Sequence, residues 1–122
     1  MKTRTLLYVA FILAIVSLLS ITPAFADSME CPHPEPTISA LQDCVSHAAE
    51  MGHIDNPGIA NSLLAKLKGA QSALERGQAD VVVSKLEAFI REVEAQAGKH
   101  IDAMHAEHMV MHAQEVMNTL LH

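Results

Sequence analysis

Apolar residues recur at helical spacing in four segments of the chain beyond residue 37. Within each segment they fall three or four positions apart, which places them on one face of an α-helix. Capping residues, a proline at a helix start and glycines at helix ends mark the boundaries. The pattern predicts helices from Thr37 or Ser39 to Gly52, from Asn56-Pro57 to Gly77, from about Asp80 to Gly98, and from Lys99 to the terminus.

The connections between these segments hold about two to six residues, so consecutive helices must be antiparallel neighbours. The predicted fold class is therefore all-α, a small up-and-down bundle of about four helices over residues 37–122. A two-helix hairpin with a loosely packed first helix is the alternative. The larger apolar side chains expected in the core are Leu67, Leu74, Leu86, Phe89 and Val93.

The first 26 residues have the layout of a secretory signal peptide. Lys2 and Arg4 precede an apolar run over residues 6–21, and the Pro-Ala-Phe-Ala sequence at 23–26 ends it with small residues at the two recognition positions of a cleavage site. An apolar run of about 16 residues falls short of the usual length for crossing a bilayer. We expect cleavage after residue 26, a periplasmic or secreted location, and no membrane segment in the mature chain.

The mature chain is predicted to be acidic. The full sequence carries 8 Lys and Arg against 14 Asp and Glu, and removal of residues 1–26 takes away two cations and no acidic residue, which leaves a net charge of about −8. The remaining cations are scattered, so no basic patch favours nucleic acid or an anionic membrane surface. The chain is long enough for one small core, and it contains neither a nucleophile elbow nor a glycine-rich phosphate loop. We expect no enzymatic activity, no nucleic-acid partner and no membrane partner.

A lead-in over residues 27–36 contains three prolines and cannot be helical. It carries Cys31, and the predicted first helix carries the other cysteine, Cys44. In an exported protein such a pair predicts one disulfide, whose loop of about 14 residues contributes on the order of 3 kcal/mol. The alternative is a metal site, although C-x-H followed by C-x-x-H matches no familiar zinc-finger spacing. Its ligands would be Cys31, His33, Cys44 and His47, with Met51 one turn further.

The predicted fourth helix is rich in histidine and methionine. Three imidazoles follow each other at i, i+3 and i+7. This spacing places them on a stripe about 60° wide, at the edge of the apolar face of the helix. Imidazole binds zinc, copper and nickel, and neighbouring thioether sulfur shifts the preference toward copper, above all the cuprous ion. The candidate metal ligands are His105, His108 and His112, with Met104, Met111 and Glu115 as auxiliaries.

One ion cannot take all three imidazoles of a straight helix, because residues seven apart lie about 10.5 Å apart along its axis. An adjacent pair of histidines is the expected unit of binding. The missing ligands would then come from Glu115, from His47 or His53, from water, or from a second subunit.

Short motifs are spread over residues 52–101, and most of their positions are typical of helix ends and core. They are Gly52-His53-Ile54, the run Gly58-Ile59-Ala60-Asn61-Ser62-Leu63-Leu64-Ala65-Lys66-Leu67, Ala70, Gly77, Leu86-Glu87-Ala88-Phe89-Ile90, Val93, Ala95-Gln96-Ala97-Gly98-Lys99 and Ile101. Over about residues 52–120 the chain resembles the FIMAH domain, a small helical module usually appended to larger secreted bacterial enzymes and surface proteins. The resemblance implies an extracytoplasmic accessory role and no catalytic residues. The cysteine-containing extension and the His/Met-rich last helix depart from the usual setting of the family, so we expect any chain-specific function there.

Two functions fit these observations. The leading interpretation is a non-catalytic, exported helical interaction module with a copper, zinc or nickel site on its last helix. The alternative is a purely protein-binding or self-associating module without metal, whose His/Met stripe is a contact surface that loosens as imidazoles become charged near about pH 6.

Overall fold

The computed structural model describes residues 31–122, which fold into four α-helices and no strand beyond two isolated backbone bridges. The helices span Ile38–Glu50 (α1), Pro57–Glu75 (α2), Ala79–Gln96 (α3) and Ala103–Leu121 (α4). The predicted all-α class is confirmed. The predicted signal peptide and the first residues of the lead-in lie outside the described residues.

None of the four helices is both long enough and apolar enough to cross a membrane.

The predicted starts of the first two helices are confirmed by their capping contacts. Thr37 Oγ1 accepts a hydrogen bond from the backbone N–H of Ala40 at 3.1 Å, and Asn56 Oδ1 accepts one from the N–H of Gly58 at 2.9 Å. These side chains satisfy N–H groups that have no carbonyl partner in the first helical turn. α1 ends at Glu50, and Gly52 follows it with a φ of +82°, a left-handed conformation that favours glycine.

The four helices form a ring in which each helix contacts the next, and α1 also contacts α4. α1 therefore packs on both α2 and α4 instead of hanging from the bundle. The alternative of a hairpin with a loosely packed first helix is wrong, because Leu41 and Val45 of α1 are fully buried in the shared core.

The core combines large apolar side chains from all four helices, and the predicted members Leu67, Leu86, Phe89 and Val93 are fully buried. The prediction of Leu74 as a core residue is wrong, since 38% of that residue is exposed. The inward stripe of α2 reaches its last turn at Ala73, which is fully buried. Leu74 lies about 100° further around the helix and points away from the core.

Two connections meet at one end of the bundle. The α1–α2 connection and the α3–α4 connection pair at Ile54 and Ile101, both of which are buried. The N–H of Asp55 donates to the carbonyl of His100 at 3.0 Å, and the N–H of Asp102 donates to the carbonyl of His53 at 2.8 Å. We call this paired region, residues 51–56 with 97–102, the loop end.

The lead-in, as far as the structure describes it, is non-helical and is attached to two helices. A disulfide joins Cys31 to Cys44 in α1, which confirms the predicted pairing. The Nε2–H of His112 in α4 donates to the backbone carbonyl of Glu35 at 2.7 Å. The lead-in therefore turns back along α1 and lies beside α4.

Candidate functional site

A groove of about 610 Å³ lies between α1 and α4 beside the lead-in. Each of the three elements contributes side chains that carry sulfur, imidazole or carboxylate. The lining residues are Cys31, Pro32, Pro34, His47, His108, Met111, His112 and Glu115. Four of the six predicted metal ligands therefore lie in one groove, and they meet there a histidine of α1, His47.

The exposed side of α4 carries four of the predicted ligands in one line. Met104, His108, Met111 and Glu115 are all exposed, and at about 100° per residue they fall within an arc of about 60°. We call these four residues the outer stripe. Met104 lies one turn before His108 and is 48% exposed, while Met111 lies one turn after it and is 53% exposed. The outer stripe thus places an imidazole between two thioethers.

His112 is buried at the edge of the groove, with 7% of the residue exposed. Its Nε2 must carry the proton, because its partner, the carbonyl oxygen of Glu35, can only accept. The lone pair of the neutral ring is then on Nδ1. His112 therefore holds the lead-in against α4 with one ring nitrogen and keeps the other as a potential ligand atom.

His105 faces the loop end and does not line the groove. Its ring stacks on that of His53, with centroids 3.7 Å apart and planes inclined by 15°. Its Nδ1 lies 2.9 Å from Oδ2 of Asp102, the residue that caps α4. Hydrogen bonds from the side chain of His105, and then from its backbone N–H, lower the pKa of the Asp102 carboxyl.

A second carboxylate–imidazole pair lies at the same loop end, where Nδ1 of His100 is 2.8 Å from Oδ1 of Asp55. Asp55, His100, Asp102 and His53 line a shallow depression there. Sequence reasoning treated the motifs around them as helix ends and missed this cluster. The available signal was that Gly52-His53-Ile54 and Gly98-Lys99 both belong to the family motifs and both follow a helix.

The structure therefore gives the three predicted histidine ligands three different surroundings. His108 is exposed on the outer stripe, His112 is buried against the lead-in, and His105 is engaged at the loop end. The groove brings His108, His112, Met111 and Glu115 together with His47, leaves Met104 on the adjoining stripe, and does not include His105.

One further constellation includes both cysteines. The sulfur atoms of Cys31 and Cys44 and a ring nitrogen of His112 all lie within 4.8 Å of one another. Among the described residues this is the one set of three or more His, Cys, Asp or Glu side chains so closely grouped. Sequence reasoning paired these cysteines with His33 and His47, and no local pattern could have indicated His112, which lies 68 residues or more from both.

A family model for the FIMAH domain matches residues 38–118. The chain belongs to the FIMAH family. The match starts at the first residue of α1, so the FIMAH domain includes all four helices and extends further toward the N-terminus than the motifs alone indicated. No curated protein and no solved structure shows significant similarity to the chain.

FIMAH domains are a family of non-enzymatic helical modules, and this chain is a member of that family. Cys44, His47 and the outer stripe lie within the matched residues, whereas Cys31 and the rest of the lead-in precede them. The disulfide to Cys31 is typical of proteins that reside in oxidising compartments outside the cytoplasm.

Proposed function

We propose that this FIMAH domain is an exported, non-catalytic module that captures a transition-metal ion, with copper preferred over zinc and nickel. The observation that carries the proposal is the groove, which is lined by His47 of α1 together with His108 and Met111 of α4. A single straight helix can bring only two neighbouring side chains to one ion. A second helix can supply the ligands that are missing.

The outer stripe supports copper as the preferred metal. Thioether sulfur is a soft ligand that selects the cuprous ion, while imidazole is accepted by copper, zinc and nickel alike. His108 has a methionine one turn before it and another one turn after it, so a cuprous ion on His108 is within reach of two thioethers. Zinc or nickel would use the imidazoles of His108 and His47 and the carboxylate of Glu115 instead.

The other two predicted histidine ligands have supporting roles in this proposal. His112 fixes the lead-in as one wall of the groove through its hydrogen bond to Glu35. His105 stabilises the start of α4 through Asp102. The acidic character of the chain adds a long-range attraction for cations, which is screened beyond about 10 Å at 0.1 M salt.

The test is a metal titration of the chain from Asp27 onward, which contains the four helices of the described residues, with its disulfide confirmed by mass. Cuprous ion is added without oxygen in competition with a chromophoric chelator, and zinc and nickel are added in a calorimeter. We expect submicromolar binding of one equivalent of cuprous ion, a loss of at least tenfold in affinity for His108→Ala and for His47→Ala, and a selective loss of cuprous binding for Met111→Leu. His100→Ala, at the loop end, is the matched control and should bind as the parent does.

Parent-like affinity in both His108→Ala and His47→Ala would refute the groove as the site. Export is tested separately by cell fractionation and by the mass of the mature protein, whose first residue should be Asp27.

A metal-free protein-binding role is the second candidate, and the exposure of Met104 and Met111 favours it. Flexible methionine side chains are common on surfaces that bind protein helices. In that case Met104→Glu with Met111→Glu would abolish association measured by sedimentation in the presence of a chelator, while His108→Ala would leave it unchanged. Association that requires added metal supports the first candidate instead.

A further inference from the structure

The disulfide and His112 make a compact group at the inner wall of the groove. The two sulfur atoms and a ring nitrogen of His112 lie within 4.8 Å of one another. Cys44 is 4% exposed and His112 is 7% exposed, while Cys31 is half-buried. The three residues come from the lead-in, α1 and α4, and both helices also contribute residues to the shared core.

We infer that the reduced form of the protein has a second metal site, in which the thiolates of Cys31 and Cys44 and the imidazole of His112 bind a zinc or cuprous ion. This inference does not depend on the groove site. Two thiolates and one imidazole are ligands that both ions accept. In the oxidised form the sulfur atoms are bonded to each other and no thiolate is available, so the site exists only after reduction.

The chemical step needs a reductant, which we take to be a dithiol or a thiol-disulfide exchange protein. A thiolate of the reductant attacks one sulfur of the Cys31–Cys44 bond, and its second thiol completes the exchange. The reductant leaves as a disulfide, and the two electrons and two protons stay on Cys31 and Cys44 as two thiols. Each thiol then releases its proton as its sulfur binds the ion.

The required movements are small. In a tetrahedral zinc site with zinc–sulfur distances of about 2.3 Å, the two sulfur atoms are about 3.7 Å apart. The ring nitrogen of His112, at most 4.8 Å from each sulfur, needs to approach by no more than about 1.2 Å. Reduction itself lets the sulfur atoms separate, and Cys31 lies on the lead-in, outside the helices.

The hydrogen bond of His112 suits a metal ligand. Metal-binding imidazoles usually donate their other ring N–H to a carboxylate or a backbone carbonyl, which fixes the tautomer and the orientation of the ring. Nε2–H of His112 makes such a bond to the carbonyl of Glu35, so the ion would bind through Nδ1, which carries the lone pair of the neutral imidazole. Because Cys31 and His112 also line the groove, a fourth position on the ion opens to water there.

The structure thus assigns a third ligand different from those in the sequence-based alternative. The ring of His33 is more than half exposed, with Nε2 3.9 Å from a carboxylate oxygen of Asp43. His47 lines the groove but does not belong to the close group.

The experiment compares the oxidised and reduced chain with Co²⁺ as a spectroscopic substitute for zinc. The reductant is a phosphine that is removed before titration under argon. The titration is run on the parent and on the His47→Ala/His108→Ala double variant, which lacks two ligands of the proposed groove site. We expect both proteins, when reduced, to bind one equivalent of Co²⁺ with a thiolate-to-cobalt charge-transfer band, and neither to show that band when oxidised.

Three variants test the ligands. Cys31→Ser/Cys44→Ala should show no band. His112→Gln, whose amide can still donate to the Glu35 carbonyl, should lose at least tenfold in Co²⁺ and Zn²⁺ affinity. His33→Ala is the matched control and should retain the affinity of the parent.

The absence of the band in the reduced parent would overturn the site. Parent-like affinity in reduced His112→Gln would overturn the assignment of His112. Circular dichroism of the reduced chain should show a helical content close to that of the oxidised chain. A reduced chain that is unfolded, and that Co²⁺ does not refold, would also overturn the inference.

Discussion

The disulfide is expected to contribute about 3 kcal/mol to the free energy of unfolding. It joins residues 13 positions apart, and the loop-entropy relation gives about 3 kcal/mol at 25 °C for a closed loop of about 14 residues. A domain of this size changes its Tm by about 4–8 °C per kcal/mol, so opening the bond should lower the Tm by about 12–24 °C. Since a domain of about 90 residues has an unfolding free energy of about 5–14 kcal/mol, the reduced bundle should remain folded at 25 °C.

The assay is thermal unfolding followed by circular dichroism, with a chelator present, for the parent and for Cys31→Ser/Cys44→Ala. Alanine is chosen at position 44 because that site is buried, where a hydroxyl would add a desolvation cost. A phosphine reductant should lower the Tm of the parent to that of the variant and leave the variant unchanged. A loss of less than about 4 °C in the parent would contradict the loop-entropy reasoning, as would an equal effect of the reductant on both proteins.

Three further predictions concern the core, the helix ends and pH. Phe89→Ala should lower the free energy of unfolding, measured with urea, by about 3–5 kcal/mol, because Phe89 is fully buried in the core that all four helices share. Gly52→Ala should lower the free energy of unfolding by about 1–2 kcal/mol, because the backbone at Gly52 is left-handed. Gly69→Ala should raise it by about 0.5–1 kcal/mol, because Gly69 lies in the middle of α2 and the new Cβ would be in ordinary contact, at 3.5 Å, with a lysine side chain. The lowered pKa of Asp102 contributes stability that is present above the ordinary aspartate value of 3.8 and is lost as the pH falls through the lower folded-state pKa. An NMR titration of Asp102 in His105→Ala should show its pKa rising toward that ordinary value.

The helices could be predicted from the sequence because their signals are local. Thr37 and the Asn56-Pro57 pair act as caps where the pattern placed them, and glycine follows the last turn of α1. Leu74 shows where this reasoning fails. Hydrophobicity favours the large leucine, but the rotation of α2 places the smaller Ala73 toward the core.

The surroundings of the histidines could not be predicted, because they depend on contacts between residues far apart in the chain. The stack of His53 on His105 requires that two connections pair at the loop end. The bond from His112 to Glu35 requires that the lead-in turn back onto α4. Helical spacing placed three imidazoles on one stripe, but only the tertiary contacts decide which of them remain exposed.

The attachment of Cys31 to the middle of α1 also determines how the bundle carries mechanical load. Tension applied at the N-terminus passes through the sulfur bridge directly to Cys44, so residues 32–43 bear none of it. The first turns of α1 are therefore protected from being peeled away one after another. Force reaches the helix at Cys44, which is buried in the core that all four helices share, so it acts on the packed bundle before it acts on the end of α1.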